Sequence, residues 1–215
     1  ITSNESGTSV TRSFGHAYNV AGGTYTRTGT DGQQTVVQLD AAGRVQTVKR
    51  QTSGSLPTIV MQADYAYLPN GLASTMNYAN GTSVQYSYDV SHRPLAIEHR
   101  NIAGAPILRM VYTYSPNGLP LTITETAGSP GATIATVSYT YDRRGRLTSE
   151  VRNDVQLPSR SYDLSYQYDK GGNRTLKIDS RNNQRVEYTY DVSDPSVYFS
   201  ASNRLIKYST YSEPL

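Results

Sequence analysis

Carboxylates and histidines are the residues of this sequence whose types could support catalysis or metal binding. A carboxylate can act as a general base, and a histidine can activate a nucleophile that lies beside it. The histidines are His16, His92 and His99, and no His or acidic cluster has the spacing of a zinc site. We therefore expect no catalytic residue, no metal site and no cofactor, and we interpret the chain as a non-enzyme.

Five aspartates recur at one place in a repeated pattern, directly after a strand-like segment. In the clearest copy, Asp142 is followed at the fourth position by Gly145. Asp first and Gly fourth are the preferences of a type I turn, in which the carboxylate accepts from backbone N–H groups. This pattern favours turn formation over catalysis for Asp40, Asp89, Asp142, Asp169 and Asp191.

Tyrosine pairs of the form Tyr-x-Tyr precede most of these turns. Residues i and i+2 lie on one face of a strand, so both rings of a pair point the same way. An earlier unit, Val37-Gln38-Leu39-Asp40, has aliphatic residues in place of the rings, and successive units are 21 to 28 residues apart. The pairs are Tyr65/Tyr67, Tyr86/Tyr88, Tyr112/Tyr114, Tyr139/Tyr141, Tyr166/Tyr168 and Tyr188/Tyr190.

Other residues can form the same reversal. Leu68-Pro69-Asn70-Gly71 and Ser115-Pro116-Asn117-Gly118 place Pro second, where its fixed φ suits a type I turn. Asp31-Gly32 and Asn80-Gly81 predict sharp two-residue turns in the same series. The residues that complete the repeated motif are Gly43, Gly71, Gly118, Gly145 and Gly172, with Arg44 and Arg146 following two of them.

These elements predict an all-β fold, in which tandem antiparallel β-hairpin repeats form an extended, curled sheet of about fourteen short strands. Only 36% of the residues are hydrophobic and 17% are charged, which suits a sheet with a wet face better than a dense core. We expect one array over residues 1–215, with about seven units and a poorly defined start at residues 1–20. We also expect the chain to be a piece of a longer protein.

Several classes of partner are disfavoured by composition. The sequence has no cysteine and no run of 18 apolar residues, so we expect neither a disulfide frame nor a membrane span. The net charge is +3, and the basic residues concentrate only at Arg143, Arg144, Arg146 and Arg152, so we expect no nucleic-acid binding. Unpaired strands at the ends of a repeat sheet predict edge-mediated self-association.

The segment Tyr141-Asp142-Arg143-Arg144-Gly145-Arg146-Leu147 resembles the YD-repeat signature of the RHS family. Asp40-Ala41-Ala42-Gly43-Arg44-Val45 resembles it with one conservative change, and the likeness covers roughly residues 24 to 210. The resemblance implies a hollow shell of coiled sheet. In RHS proteins and in the B and C components of insecticidal toxin complexes, such a shell encloses a C-terminal toxic segment, and teneurins use a similar barrel.

The family's self-cleaving aspartates belong to a segment built around Asp-Pro-x-Gly. Asp194-Pro195-Ser196-Val197 lacks that glycine, so these roles are carried over to no residue of this chain.

Two functions fit these patterns. The first is a structural shell segment of a secreted bacterial RHS-type protein, which encloses or carries a toxin polypeptide continuous with its own longer chain. The second is an adhesion module at a cell surface, in which rows of tyrosine bind carbohydrate or a partner protein. The regular recurrence of the pairs favours cross-strand packing of the rings, and with it the first function.

Overall fold

A computed structural model of the chain describes residues 2–5, 8–11, 15–19, 21–52, 54–128, 131–190 and 205–212. Within these residues the protein is all-β, with eighteen strands and one short 3-10 turn, Pro158–Arg160. The strands β1 and β2 form a two-stranded sheet, and the other sixteen form one open antiparallel sheet in the order of the sequence. This confirms the predicted fold class of tandem antiparallel hairpins.

The predicted number of strands was too low. Fourteen strands, β5 to β18, correspond to the seven repeat units, and the four additional strands all precede residue 29. Two of them, Thr8–Thr11 and Thr24–Thr28, are rich in Thr, and none of the four has alternating aliphatic residues. Without that alternation the sequence gives little signal for a strand, although β-branched Thr suits a pleated sheet.

Two compact units divide the chain, Ile1–Ile107 and Leu108–Leu215. The first unit holds β1 (Thr2–Glu5), β2 (Thr8–Thr11), β3 (Gly15–Asn19), β4 (Thr24–Thr28), β5 (Gln33–Leu39), β6 (Val45–Thr52), β7 (Ile59–Tyr67), β8 (Ala73–Tyr78), β9 (Ser83–Tyr88) and β10 (Pro94–Arg100).

Eight further strands follow. They are β11 (Pro106–Tyr114), which begins at the boundary between the units, β12 (Pro120–Ala127), β13 (Ala132–Tyr141), β14 (Leu147–Asp154), β15 (Tyr162–Tyr168), β16 (Arg174–Asp179), β17 (Gln184–Tyr190) and β18 (Leu205–Ser212).

Burial is sparse. The described apolar side chains that are buried are small or medium in size, and none is aromatic: Ala63, Val84, Ala96, Ala135, Val137 and Leu176. Burial of apolar area is the main favourable contribution to folding. Because few apolar side chains are fully buried, much of the stability of the sheet must come from its half-buried side chains and hydrogen bonds.

In the hairpins that form the repeat units, the strand register shifts at the end of the first strand, just before the turn. In β13 and β14, Tyr139 pairs with Glu150, and the shift falls between Thr140 and Tyr141. The same shift occurs at the ends of β5, β7, β11, β15 and β17. One extra residue on the second strand is the mark of a β-bulge, so the bulge is part of the repeat.

Some sequence-based interpretations lie outside the described residues. They include the turn at Asp191, the segment 194–197 and the stretch 192–202. The described sheet ends at β3 and at β18, and association through these edges stays a prediction. No helix among the described residues has the length and hydrophobicity that crossing a membrane requires.

Candidate functional site

Nine hairpin turns in the described residues share one backbone geometry. In the turn that begins at Asp142, the Gly145 N–H donates to the Asp142 carbonyl at 3.0 Å, and the Asp142 N–H donates to the Arg146 carbonyl at 2.9 Å. These are the bonds of a type I turn closed by a bulge. The same two bonds form in the turns that begin at Gly29, Asp40, Leu68, Tyr78, Asp89, Asn101, Ser115, Asp142 and Asp169.

Each of these turns also satisfies the N–H of its fifth residue with a side-chain oxygen. The oxygen comes either from the first residue of the turn, as when Asp142 Oδ1 accepts from Arg146 N at 3.0 Å, or from the third, as when Asn70 Oδ1 accepts from Leu72 N at 3.2 Å. First-position acceptors are Asp40, Asp89, Asn101, Ser115, Asp142 and Asp169. Third-position acceptors are Asp31, Asn70 and Asn80.

The predicted two-residue turns at Asp31-Gly32 and Asn80-Gly81 were wrong. The Tyr78 N–H donates to the Thr82 carbonyl, so the loop spans three residues and Asn80 stands at its middle. An Asn-Gly pair suits a two-residue turn when both residues have positive φ, but here only Gly81 does, at 84°. Asn80 instead uses its side-chain oxygen on Thr82 N at 3.0 Å.

The fourth residue of all nine turns has positive φ. It is glycine in eight, for example Gly145 at 77°, and glycine adopts this conformation without a steric penalty. The exception is His92, with φ of 64°. His92 therefore carries a backbone cost that the other turns avoid, and its place in a turn follows the sequence interpretation.

In three turns the fifth residue is an arginine that binds the aspartate at the first position. Arg146 Nε donates to Asp142 Oδ2 at 2.6 Å, and its Nη2 lies 2.6 Å from the same oxygen. Asp40 with Arg44 and Asp89 with Arg93 form the same pair, at 2.7 and 2.6 Å from Nε. In the turn at Asp169 the side-chain amide of Asn173 takes the place of the guanidinium, and its Nδ2 donates to Asp169 Oδ2 at 2.9 Å.

These contacts lower the pKa of the turn aspartates. For Asp40, Asp89 and Asp142 the largest cause is the backbone N–H of the fifth residue, and for Asp169 it is the side-chain amide of Asn173. Hydrogen bonds donated to a carboxylate favour its charged form. The aspartates are therefore acceptors held ionised, which is the opposite of the raised pKa that a general acid needs.

The turn arginines also contact the next hairpin. Arg44 Cζ lies 4.4 Å from the ring centroid of Tyr67, and Arg146 Cζ lies 4.7 Å from that of Tyr168. A guanidinium over an aromatic face is attracted by the ring quadrupole. Arg146 additionally donates from Nη1 to the carbonyl of Asp169 at 2.9 Å, so it joins the turn of one repeat to the turn of the following one.

In three of the pairs the second tyrosine reaches back to the preceding hairpin. Tyr168 Oη donates to the Leu147 carbonyl at 2.8 Å, immediately after the turn that begins at Asp142. Tyr67 Oη donates to the Val45 carbonyl at 2.5 Å and Tyr88 Oη to the Ala73 carbonyl at 2.9 Å. The acceptor is in each case the sixth residue counted from the start of the preceding turn.

All twelve paired tyrosines are half-buried, and the residue between the two rings is exposed in every pair. The pairs lie at the ends of β7, β9, β11, β13, β15 and β17, on the side of the sheet that we call the tyrosine face. Desolvation is the first cause that raises the pKa of Tyr86, Tyr88, Tyr112, Tyr139, Tyr141 and Tyr166. The paired rings are therefore packed within the sheet and do not stand free in solvent.

The tyrosine face of the second unit carries a charged cluster that the sequence analysis did not predict. Arg152 donates to both oxygens of Glu125 at 2.6 and 2.8 Å and to Asp154 Oδ2 at 3.2 Å. Nearby, Tyr162 Oη donates to Glu150 at 2.6 Å, and burial followed by this bond raises the pKa of Tyr162. The available signal was the alternation of Glu150, Arg152 and Asp154 along β14, which places three charges on one face.

Asp154 has a second role, in the loop after β14. Its Oδ1 accepts from the N–H groups of Gln156 and Leu157 at 3.2 and 2.8 Å, and its own N–H donates to Ser161 Oγ. The backbone N–H of Leu157 is the first cause of the lowered pKa of Asp154. Asp154 therefore accepts hydrogen bonds both from Arg152 and from the backbone of this loop.

His92 lies in the turn that begins at Asp89, and the other two described histidines lie in strands. His16 Nδ1 lies 2.6 Å from Tyr25 Oη in the hairpin of β3 and β4, and His99 pairs in register with Val84. Among the described residues, no three His, Asp or Glu side chains are grouped so that they could hold a metal ion. The repeated geometry joins hairpins to one another.

Comparison with solved structures finds the same fold in larger proteins. The structure named TcdB2-TccC3-Cdc42 matches with a TM-score of 0.68 at 21% identity, over 90% of this chain and 10% of that one. The TcdB2-TccC3 structure matches with a TM-score of 0.51 at 14% identity, over 83% of this chain and 13% of that one. The chain thus spans about a tenth of the length of these proteins.

At this identity the likeness shows the fold alone. No protein-family model matches the sequence. No curated protein matches it either.

Proposed function

We propose that the chain is a structural segment of a secreted bacterial RHS-type shell, which encloses or carries a toxin polypeptide. The observation that carries the proposal is the interlock between successive hairpins, formed by the Arg146 contact with Tyr168 and the Tyr168 bond to Leu147. Each repeat fixes the position of the next one, so the sheet can be extended by adding hairpins. The enclosed polypeptide and the rest of the same longer chain are the partners that this function requires.

The fold likeness to the TcdB2-TccC3 structures supports the proposal, since those proteins contain a segment with this arrangement of strands. The YD-repeat signature at residues 141–147 supports it independently, from sequence. A non-catalytic role agrees with the turn aspartates, whose oxygens are committed to backbone N–H groups and to arginine or asparagine side chains.

The test is protection of the linked polypeptide in the complete gene product. We expect the reading frame to continue into an unrelated toxin domain, and we expect protease to cut that domain more slowly in the complete product than when it is expressed alone. Equal cleavage rates for the two forms would refute enclosure. If mild denaturation of the sheet removes the protection of the toxin domain from protease, that result would support enclosure.

A second candidate function is carbohydrate or protein binding at a cell surface. The observation that favours it is an exposed aromatic group on the hairpin of β3 and β4, where Tyr18 is 75% exposed and its ring centroid lies 4.8 Å from that of Tyr25. Exposed rings suit the apolar faces of sugars. A glycan array with a Tyr18→Ala control would detect it, and binding of no glycan by the parent chain would exclude the carbohydrate form.

A further inference from the structure

A cleft on the tyrosine face of the first unit has no part in the interlock between hairpins. Its volume is about 480 Å³, and its eight lining residues include Arg27, Asp31, Gln33, Thr35, Arg50 and Met61. The lining residues belong to four successive strands, β4 to β7, and to the loop between β4 and β5. The edge strand β3 contributes none of them, so the cleft lies on the face of the sheet and not at its edge.

Cross-strand register places two arginines on one row of this cleft. Arg27 pairs with Thr35, and Thr35 pairs with Arg50. Arg50 pairs in turn with Met61. Neighbouring strands lie about 4.8 Å apart, so the backbones of the two arginines are separated by about 10 Å, with Thr35 between them. A carboxylate between two guanidiniums is the arrangement that charge-assisted hydrogen bonds favour.

Asp31 is the one acidic residue in the lining, and it does not neutralise the two arginines. Asp31 Oδ2 lies 3.8 Å from Arg50 Nη2, and both side chains are about half exposed. An exposed ion pair at this distance is weak and easily exchanged for another carboxylate. Asp31 is also committed to its own turn, since its Oδ1 accepts from Gln33 N at 3.0 Å.

One polar atom in the lining needs a donor. Gln33 Oε1 is buried and has no hydrogen-bond partner among the described residues. A buried acceptor without a donor carries a desolvation cost, which a ligand N–H can remove. The ligand that fits therefore presents an anionic group next to a hydrogen-bond donor, as a peptide does with an acidic side chain and its backbone N–H.

The lining also distinguishes among anionic ligands. None of its eight residues is aromatic, so the cleft offers no ring on which a sugar or a nucleobase could stack. We propose that this cleft binds an acidic peptide segment, with the carboxylate of an Asp or Glu side chain held between Arg27 and Arg50. This binding does not depend on enclosure of a toxin, so its failure would leave the proposed shell function standing.

Fluorescence anisotropy on the full chain tests the proposal. The probe is a labelled oligoglutamate peptide, and the comparison is an oligoglutamine peptide of the same length. We expect oligoglutamate to bind and oligoglutamine not to bind, and we expect Arg27→Gln and Arg50→Gln each to weaken binding about tenfold. Equal binding of the two peptides, or no binding of oligoglutamate, would overturn the proposal.

A matched variant separates a specific site from general charge attraction. Arg143 is an exposed turn residue in the second unit, and Arg143→Gln removes the same charge as Arg50→Gln. We expect Arg143→Gln to change affinity by less than about twofold, because Arg143 does not line the cleft and exposed charges are screened by salt. A loss equal to that of Arg50→Gln would show an unspecific effect and overturn the site.

Two further measurements address folding and the class of partner. Arg50→Lys keeps the charge but lacks the planar fork, so it should retain part of the affinity, and Arg50→Glu should instead bind oligolysine. The thermal unfolding of each variant is compared with that of the parent chain. Tighter binding of an oligouronate or an oligonucleotide than of oligoglutamate would assign the cleft to a different partner and refute the peptide.

Discussion

The guanidinium of Arg146 lies over the ring of Tyr168, with 4.7 Å between its Cζ atom and the ring centroid. Arg146 closes the turn of one hairpin, and Tyr168 ends the first strand of the next. Arg44 and Tyr67 repeat the contact at 4.4 Å in the other unit. Local turn chemistry and contact between repeats therefore share one side chain, which couples the folding of adjacent hairpins.

Removal of one tyrosine hydroxyl should weaken this coupling. Tyr168→Phe leaves the half-buried Leu147 carbonyl without its 2.8 Å bond, and we expect the free energy of unfolding to fall by about 1 kcal/mol. Urea denaturation followed by circular dichroism measures the change. Tyr18→Phe is the control, because that ring is 75% exposed, and it should change stability by less than about 0.5 kcal/mol.

His92→Gly should stabilise the protein. His92 is the one non-glycine residue among the nine left-handed turn positions, and relief of its φ of 64° should raise the free energy of unfolding by about 0.5–1 kcal/mol. The reciprocal change is Gly43→Ala, where an added Cβ meets no atom within 4 Å, so only the backbone is affected. A loss of about 1 kcal/mol is expected there, and the same sign for both variants would contradict the argument.

The charged cluster of the second unit should be sensitive to loss of its cation. Arg152→Met leaves Glu125 and Asp154 without their shared partner, and we expect a loss of roughly 2–3 kcal/mol. Arg185→Met is the matched control, since Arg185 and Glu187 are 41% and 45% exposed, and an exposed pair contributes less than about 1 kcal/mol. Thermal or urea unfolding compares the two variants.

Acid should destabilise the turns. The folded-state pKa of Asp142 is lowered, as are those of Asp40, Asp89, Asp154 and Asp169, so the folded state holds these groups ionised more firmly than the unfolded state does. Their contribution is complete above the unfolded pKa of about 3.9 and is lost as the pH falls through the lower folded values. Asp142→Asn keeps an acceptor oxygen but cannot titrate, so its unfolding midpoint should depend less on pH than that of the parent.

Alkali should destabilise the tyrosine face. Burial raises the pKa of Tyr139 and, with it, those of Tyr86, Tyr88, Tyr112, Tyr141, Tyr162 and Tyr166. The neutral rings contribute fully below the unfolded pKa of about 10, and stability is lost as the pH rises from there through the folded values. Tyrosinate absorbance should therefore rise together with loss of circular dichroism above about pH 10. Complete ionisation of these tyrosines at the ordinary tyrosine pKa, with the sheet still folded, would contradict this prediction.

The sequence predicts the fold class well because each hairpin is specified locally. Asp142 and Gly145 stand three residues apart, and the alternation of Tyr139 and Tyr141 lies in the same short window. The cluster of Arg152 with Glu125 could not be found this way, since the two residues are 27 apart and meet only through the register of β12, β13 and β14.

Contacts between repeats were missed for a similar reason. Arg44 lies at the end of a predicted turn, but its approach to Tyr67 depends on the pairing of β6 with β7. The turn at Asn80 was misassigned because the dipeptide Asn-Gly occurs in two turn types, and the choice between them depends on which residue takes positive φ. The local sequence determines that the chain turns, whereas the strand register and the bulges determine which residues the turn contacts.

Placement of an acceptor oxygen at either of two positions in the turn makes the repeat degenerate, in the sense in which synonymous codons are degenerate. Asp142 with Arg146 and Asn70 with Leu72 give one geometry from different residues. Mutation can therefore exchange one form for the other while the hairpin persists, and lineages can drift apart in sequence under constant shape. The chain shares its fold with TcdB2-TccC3-Cdc42 at 21% identity, and exchange of this kind lets the turn geometry persist when the residues that form it change.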